Sequence, residues 1–356
     1  MHEYLLLSFL TSFALTYFAI PSIIQVAQDK HLYDEPTHRS SHTVKTPSLG
    51  GIGIFAGAIF SIVLWTPFGA FGNLQYILCA FIILFLIGAK DDLAPMSPYK
   101  KMIGQVVAAS ILVFKSDIVL KGMYGLFGLV HDLPNLLAYA LSLLTIIVIV
   151  NAFNLIDGID GLAGSIAVLI CITLGVWFFL ARHYEFAIMA FSTSGAVIAF
   201  LKYNFTPAKI FMGDTGSLII GMVCAVLIIK FIDLNYGLED GNPLRFGNIP
   251  VVAIGIMILP LYDTVRVFIT RIIRGHSPFH PDRRHIHHLL IDFGMSHMRA
   301  TATLVFVNLL FICFVLSTHR LLGLHTMLAI VLALATALTY ILHRAVVRKN
   351  LDLLRR

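Results

Sequence analysis

The chain has 356 residues, of which 58% are hydrophobic and only 12% charged, with a formal net charge of +6 at pH 7. Apolar runs long enough to cross a hydrocarbon core of about 30 Å recur along its whole length, which excludes a soluble domain and makes this an integral membrane protein. The positive excess calls for no nucleic acid, because a topology signal facing an anionic leaflet accounts for it.

In chain order the runs predict about eleven spans, near 4–24, 49–69, 75–90, 102–119, 134–151, 162–181, 184–202, 215–233, 248–271, 300–318 and 321–343. The fold class expected is an all-α polytopic bundle with its site at the cytoplasmic face. The chain forms one membrane domain, 1–356, and the stretch 272–299 is its longest polar loop. The first run follows His2 and Glu3 without a basic region and is too long for a signal-peptide core, so it is expected to stay in the mature chain. Within the second run, Gly53 and Gly57 read as small residues that let helices pack closely rather than as a nucleotide fingerprint, since no strand precedes them. Pro260 is expected to bend or break the ninth span, because it removes a backbone donor. The four cysteines, Cys79, Cys171, Cys224 and Cys313, all fall inside predicted spans and act there as small apolar residues.

Orientation follows from charge. With the N-terminus outside, nineteen of the 25 Lys and Arg fall on the inner segments, leaving Lys115, Lys121, Arg182, Lys230, Arg245 and Arg320 outside. The positive-inside rule therefore predicts an external N-terminus and a cytoplasmic C-terminus.

Ionisable groups are costly at a bilayer, so carboxylates gathered at the predicted cytoplasmic ends of several runs point to a site for an anion and a divalent cation. The first inner loop, from Asp34 to Gly51, carries Lys45, whose charge suits an anionic ligand as well as a topology signal. Asp91 and Asp92 close the third run; adjacent carboxylates repel unless a cation or proton relieves them, and they are candidates for a base or metal ligands. Lys101 follows in the same short loop and suits a phosphate. In the stretch from Asn151 to Gly164, Asn154, Asp157 and Asp160 recur every third position, so a helical turn brings their oxygens together. An EF-hand loop is excluded by spacing. Asp214 opens the eighth run behind Phe211. Few hard oxygen ligands suit Mg2+, which completes its shell with water and substrate phosphates. Arg283, Arg284, His285, His287 and His288 form the basic segment of the last inner loop, where no Cys, Glu or HExxH completes a zinc pattern.

The acidic pair at 91–92, the Asn-Ala-Phe-Asn-Leu-Ile-Asp-Gly-Ile-Asp-Gly stretch from Asn151, the Phe-Met-Gly-Asp-Thr-Gly-Ser stretch from Phe211 and the run from Ser277 to His288 resemble the polyprenyl-phosphate N-acetylhexosamine-1-phosphate transferases. The WecA/TagO type is the nearest branch and the MraY translocases are more distant. The resemblance extends from about Asp34 to His288, order and spacing included. It implies transfer of a sugar-1-phosphate, GlcNAc-1-phosphate in first place, from a UDP-sugar to undecaprenyl phosphate in the bacterial inner membrane, with release of UMP and with Mg2+ as cofactor, Mn2+ able to substitute. The product would be the first lipid-linked intermediate of a cell-surface polysaccharide. It further implies that Asn154 and Asp214 hold the metal, that Lys101 holds the lipid phosphate and that Asp160 and Phe211 receive the uracil. Arg283, Arg284 and the three histidines would hold the diphosphate and sugar, with Asp157 and Lys45 at the substrate. Asp91, Asp92 and Asp214 are the catalytic candidates. Direct attack of the lipid phosphate is favoured over an aspartyl-phosphate intermediate, because a phosphate monoester with a second pKa of roughly 6 barely needs a base. The bent ninth helix would border the groove for the lipid tail.

A secondary transporter is the competing class, but it should place its carboxylates near the midplane and often repeat its halves. Neither feature is legible here. Oligomeric state is not encoded in any motif.

Overall fold

The computed structural model describes residues 2–33, 46–70, 72, 74–277 and 284–354, and among them it forms thirteen α-helices. These are α1 (His2–Asp29), α2 (Gly50–Trp65), α3 (Leu74–Leu93), α4 (Pro98–Lys115), α5 (Asn135–Ile156), α6 (Leu162–Leu180), α7 (Tyr184–Asn204), α8 (Gly213–Tyr236), α9 (Ile249–Ile256), α10 (Ile258–Ile273), α11 (Ile286–Asp292), α12 (His297–Thr318) and α13 (Leu324–Leu354). The protein is an all-α polytopic membrane protein, and helices occupy every expected apolar run. Eight are long and apolar enough to cross a membrane, nine if the bent pair α9–α10 counts as one span. The expected eleven exceeds that number because α2 has only 16 residues and α4 carries three lysines, Lys100, Lys101 and Lys115, in 18.

Local chemistry explains the shifted boundaries. Pro98, pre-set for a first helical turn and lacking a donor that would go unused there, starts α4 four residues before the expected 102. Thr66, held extended (ψ 123°) ahead of Pro67, ends α2 at Trp65 rather than 69.

α8 is the central post, with 89% of its apolar stretch buried, and it packs against α2, α3, α5 and α6. α1, α2 and α7 form a second cluster joined by small residues. A Cβ on Gly57 would lie 2.9 Å from the Ser12 carbonyl of α1, so only glycine permits that approach. Around it, the Ser61 hydroxyl donates to the Ser8 carbonyl and that of Ser12 to the Ser192 carbonyl, each at 2.5 Å. Close backbones and interhelical hydrogen bonds are what holds helices together in lipid, which bears out the packing role of Gly53 and Gly57.

The ninth span is broken by 85°, at Met257 rather than at Pro260. The cause is still the proline: without an N–H it leaves the Ile256 carbonyl unserved, and its ring crowds that carbonyl. Asn308 of α12, fully buried, bridges the gap. Its Nδ2 donates to Ile256 O at 3.1 Å and its Oδ1 accepts from Leu259 N at 3.2 Å. Beyond the break α10 turns toward the end of the bundle where α3 and α5 finish and α4, α6, α8 and α12 begin. Asp91, Asp92, Lys101, Asn154, Asp157, Asp160, Phe211 and Asp214 meet at that end.

Candidate active site

The site is built on the first turn of α8. Gly213 adopts φ +72°, and a Cβ there would fall within 2.7 Å of both Asp92 carboxylate oxygens, so glycine is required. The Asp92 carboxylate accepts from the amides of Asp214 (2.7 Å) and Thr215 (3.0 Å) and from the Thr215 hydroxyl (2.5 Å). A carboxylate on the exposed amides of a helix start is stabilised by the local dipole. Asp92 therefore acts as the cap of α8 and orients Asp214, a role adjacency to Asp91 does not reveal. The segment before the helix is tied to the end of the first loop: Phe211 N donates to Pro47 O at 2.7 Å, Gly50 N to Phe211 O at 3.0 Å and Gly51 N to Met212 O at 2.8 Å.

Asp214 projects from that turn into a cluster. One oxygen takes a close hydrogen bond from the Asn154 amide of α5, and the other takes the Lys101 ammonium of α4. Lys101 also lies 3.3 Å from Asp91, whose other oxygen accepts from Met96 N at 2.5 Å. Lys101 thus bridges two carboxylates.

Residues 157–161 connect α5 to α6 beside this cluster. The Asp157 carboxyl is pushed up to about 8, first by burial and then by the charges of Asp214, Asp92 and Asp160. Asp160 behaves in the opposite sense. Burial opposes its ionisation, but hydrogen bonds from His297 and Thr206 outweigh it and hold the carboxyl below the usual range. His297 Nδ1 stands 3.3 Å from one oxygen and the Thr206 hydroxyl donates to the other at 2.6 Å. The Thr301 hydroxyl donates to the Asp160 carbonyl at 2.8 Å, and Asn204 Oδ1 accepts from Gly161 N at 2.8 Å.

A cavity of about 570 Å³ opens among these groups. Asp91, Asp92, Asn154, Asp157, Asp160, Phe211, Asp214 and His288 of the predicted set line it, together with Tyr33, Asn204 and His297. His285 and His287 do not line it. They are buried, 4% and 2% exposed, and the His287 ring stands against Gly158, where any Cβ would collide with it. Burial, then the neighbouring His288, pushes His287 down to about 3, so it is neutral at physiological pH and offers no cation to a phosphate. Arg284 adjoins them, its carbonyl accepting from Arg266 at 2.5 Å. Lys45 and Arg283 lie outside the described residues. Sequence reasoning missed His297 and Asn204, which sit at helix ends, yet nothing in their spacing links them to Asp160.

The donor set suits a hard cation. Asp91, Asp92, Asp157 and Asp214 face one another with Lys101 as the ammonium bridging Asp91 and Asp214. The Asn154 amide can present oxygen in place of nitrogen by a flip. Among the described residues no three His, Cys, Asp or Glu converge as a ready-made metal cage, so a cation at Asp214 and Asn154 would draw most of its shell from water or substrate.

The model of the family described as glycosyl transferase family 4 matches residues 74–232, which carry α3 to α8 and the acidic cluster. The chain is 31% identical over 313 residues to the decaprenyl-phosphate N-acetylglucosaminephosphotransferase of Mycobacterium tuberculosis (strain ATCC 25618 / H37Rv), covering 82% of this chain and 76% of that one. It is 27% identical over 304 residues to the undecaprenyl-phosphate alpha-N-acetylglucosaminyl 1-phosphate transferase of Yersinia pestis (84% and 79% covered) and 30% over 273 residues to that of Salmonella typhi (76% and 71%). With the acidic cluster inside the matched region and relatives aligned over most of both lengths, the chain belongs to glycosyl transferase family 4, in its polyprenyl-phosphate N-acetylhexosamine-1-phosphate transferase branch.

Proposed function

We propose that this protein transfers N-acetylhexosamine-1-phosphate, GlcNAc-1-phosphate in first place, from a UDP-sugar to undecaprenyl phosphate. UMP leaves, and the product is the first lipid-linked intermediate of a cell-surface polysaccharide. The observation that carries this reading is one cavity at the helix ends lined by five carboxylates and Phe211, with Lys101 bridging two of those carboxylates, in a chain whose relatives are named for polyprenyl phosphates. The cavity end of the bundle faces the cytoplasm of a bacterial inner membrane, with the N-terminus outside and the C-terminus inside, in keeping with the distribution of Lys and Arg.

Asp214 and Asn154 would hold Mg2+, with Mn2+ able to substitute, and the chemistry it would supply there is neutralisation of the donor's negative charge. Lys101 is the ammonium for the lipid phosphate, and exchanges its carboxylate partners for that anion. Asp160 accepts from the N–H of the base and Phe211 stacks on its ring. Arg283, Arg284, His288 and Lys45 bind the diphosphate and sugar from the two loops, while His285 and His287 support His288 from beneath. An oxygen of the lipid phosphate attacks the β-phosphorus of the donor as the bond to the α-phosphate oxygen breaks. Asp91 takes the remaining proton when the lipid phosphate arrives as a monoanion. Asp92 keeps Asp214 in register. Holding two anions in line against compensating charge accounts for most of the rate, as in other phosphoryl transfers.

The test is purified protein in detergent with undecaprenyl phosphate, Mg2+ and a panel of UDP-N-acetylhexosamines. Equimolar UMP and lipid-linked diphosphosugar are expected, fastest with UDP-GlcNAc. Turnover of none of the donors, or donor hydrolysis without a lipid product, overturns the reading.

A further inference from the structure

Asp263 stands on α10 beyond the break, outside the acidic cavity, and is only 1% exposed. Three groups converge on its carboxylate. His285 Nδ1 lies 3.0 Å from Oδ2, the Ile286 amide donates to the two oxygens at 3.1 and 3.2 Å, and Arg266 Nη2 donates to Oδ1 at 2.7 Å. Arg266 Nη2 also donates to the Arg284 carbonyl at 2.5 Å. One ion pair on the far arm of the broken helix thus holds three consecutive residues, 284 to 286, of the last loop.

The bond to His285 has a chemical consequence. An ionised carboxylate only accepts hydrogen bonds, so the ring nitrogen facing it carries the hydrogen. In a neutral ring the other nitrogen, Nε2, then carries the lone pair. His285 Nε2 is buried and has no hydrogen-bond partner among the described residues. The ring lies parallel to that of His287, centroids 5.7 Å apart, and His287 in turn lies 4.2 Å from His288, which lines the cavity. A row of neighbouring rings thus runs from Asp263 to the cavity wall.

We propose that Asp263 is a positioning residue for the transfer: it fixes His285 as the Nδ1–H tautomer and thereby sets the rings that place His288 at the cavity. The activity consequence rests on the transferase reading above; the tautomer does not.

Two readouts separate the two. In protein labelled with 15N on the histidine rings, with the His285 signal assigned by its loss in His285→Gln, the wild type is expected to show a protonated Nδ1 and a bare Nε2. In Asp263→Asn a single oxygen must serve donors that two served before, and the Nε2–H tautomer is expected to appear. A wild-type His285 already in the Nε2–H form, or a spectrum unchanged in Asp263→Asn, overturns the proposal. In the transferase assay Asp263→Asn should lower kcat on the order of 10- to 100-fold, as loss of a partner that orients a histidine does elsewhere, with both KM values within about threefold. Asp263→Glu should recover part of it. A kcat within twofold of wild type also overturns the proposal. Asn308→Ala disturbs the same helix at its break without touching Asp263, and should lower the melting temperature while leaving the His285 signal as in wild type; a tautomer change there would reduce Asp263 to a general packing role. Absence of turnover in the wild type would instead remove the transferase reading, while the spectra still decide the tautomer.

Discussion

Asp157 shows how a single carboxyl reports the state of the cluster. Its ordinary value is 3.8, and in the folded chain it is pushed up to about 8 by burial and by three neighbouring carboxylates. The folded protein therefore binds this proton more tightly than the unfolded chain does. Stability from that group is present in full below about pH 4, is lost progressively as pH rises to about 8, and changes no further above it. Asp157→Asn should accordingly melt at a higher temperature than wild type at pH 8.5 in metal-free buffer, with the gap narrowing as pH is lowered toward 4. Coincident melting curves for the two proteins at every pH would show that neither burial nor the other carboxylates shift Asp157. At this scale the positions of the carboxylates were legible, because charge at the end of an apolar run is expensive enough to need a reason. Their roles were not. Asp91 and Asp92 are neighbours in sequence but about 100° apart around a helix, so one turns to Lys101 and the other to the amides of α8. The resemblance implied that His287 holds the diphosphate and sugar, whereas its ring is buried and packed against Gly158.

The helices themselves were legible from apolar length, but the start of α4 and the end of α2 were not, because Pro98 and Pro67 set them where apolar length does not. The break between α9 and α10 marks the limit. Pro260 announced a defect, but its repair depends on Asn308, which lies in a different apolar run and shows no pattern of its own. Removing that side chain leaves a buried carbonyl on Ile256 and a buried amide on Leu259 without partners. Asn308→Ala should therefore destabilise the protein by about 1–3 kcal/mol, seen as a lower thermal midpoint in detergent, since each group left unsatisfied carries its desolvation cost. Asn308→Asp should be worse still, because it loses the donor to Ile256 and adds a charge at a buried position. An unchanged midpoint in Asn308→Ala would mean that the break satisfies its own backbone.

For the whole molecule, the gathering of carboxylates at one end of the bundle decides between the two classes that composition allowed. A transporter needs its polar groups near the midplane, reachable from both sides in turn. Here Asp91 and Asp92 end α3, Asp157 follows α5 and Asp214 begins α8, all on one side of the apolar lengths of those helices. Such a site can meet a water-soluble donor and a lipid head at the same surface. Which surface it is rests on charge: Lys100 stands exposed next to Lys101 at the cavity end, and Glu239 stands exposed at the other end, beyond α8. With Cys79, Cys171, Cys224 and Cys313 replaced by alanine, single cysteines at those two places report orientation directly. Glu239→Cys should react with a membrane-impermeant maleimide in intact spheroplasts, and Lys100→Cys only after the membrane is permeabilised. The reverse pattern would put the cavity outside the cell. Nucleotide sugars are made and kept inside, so the proposed donor could then not reach the site.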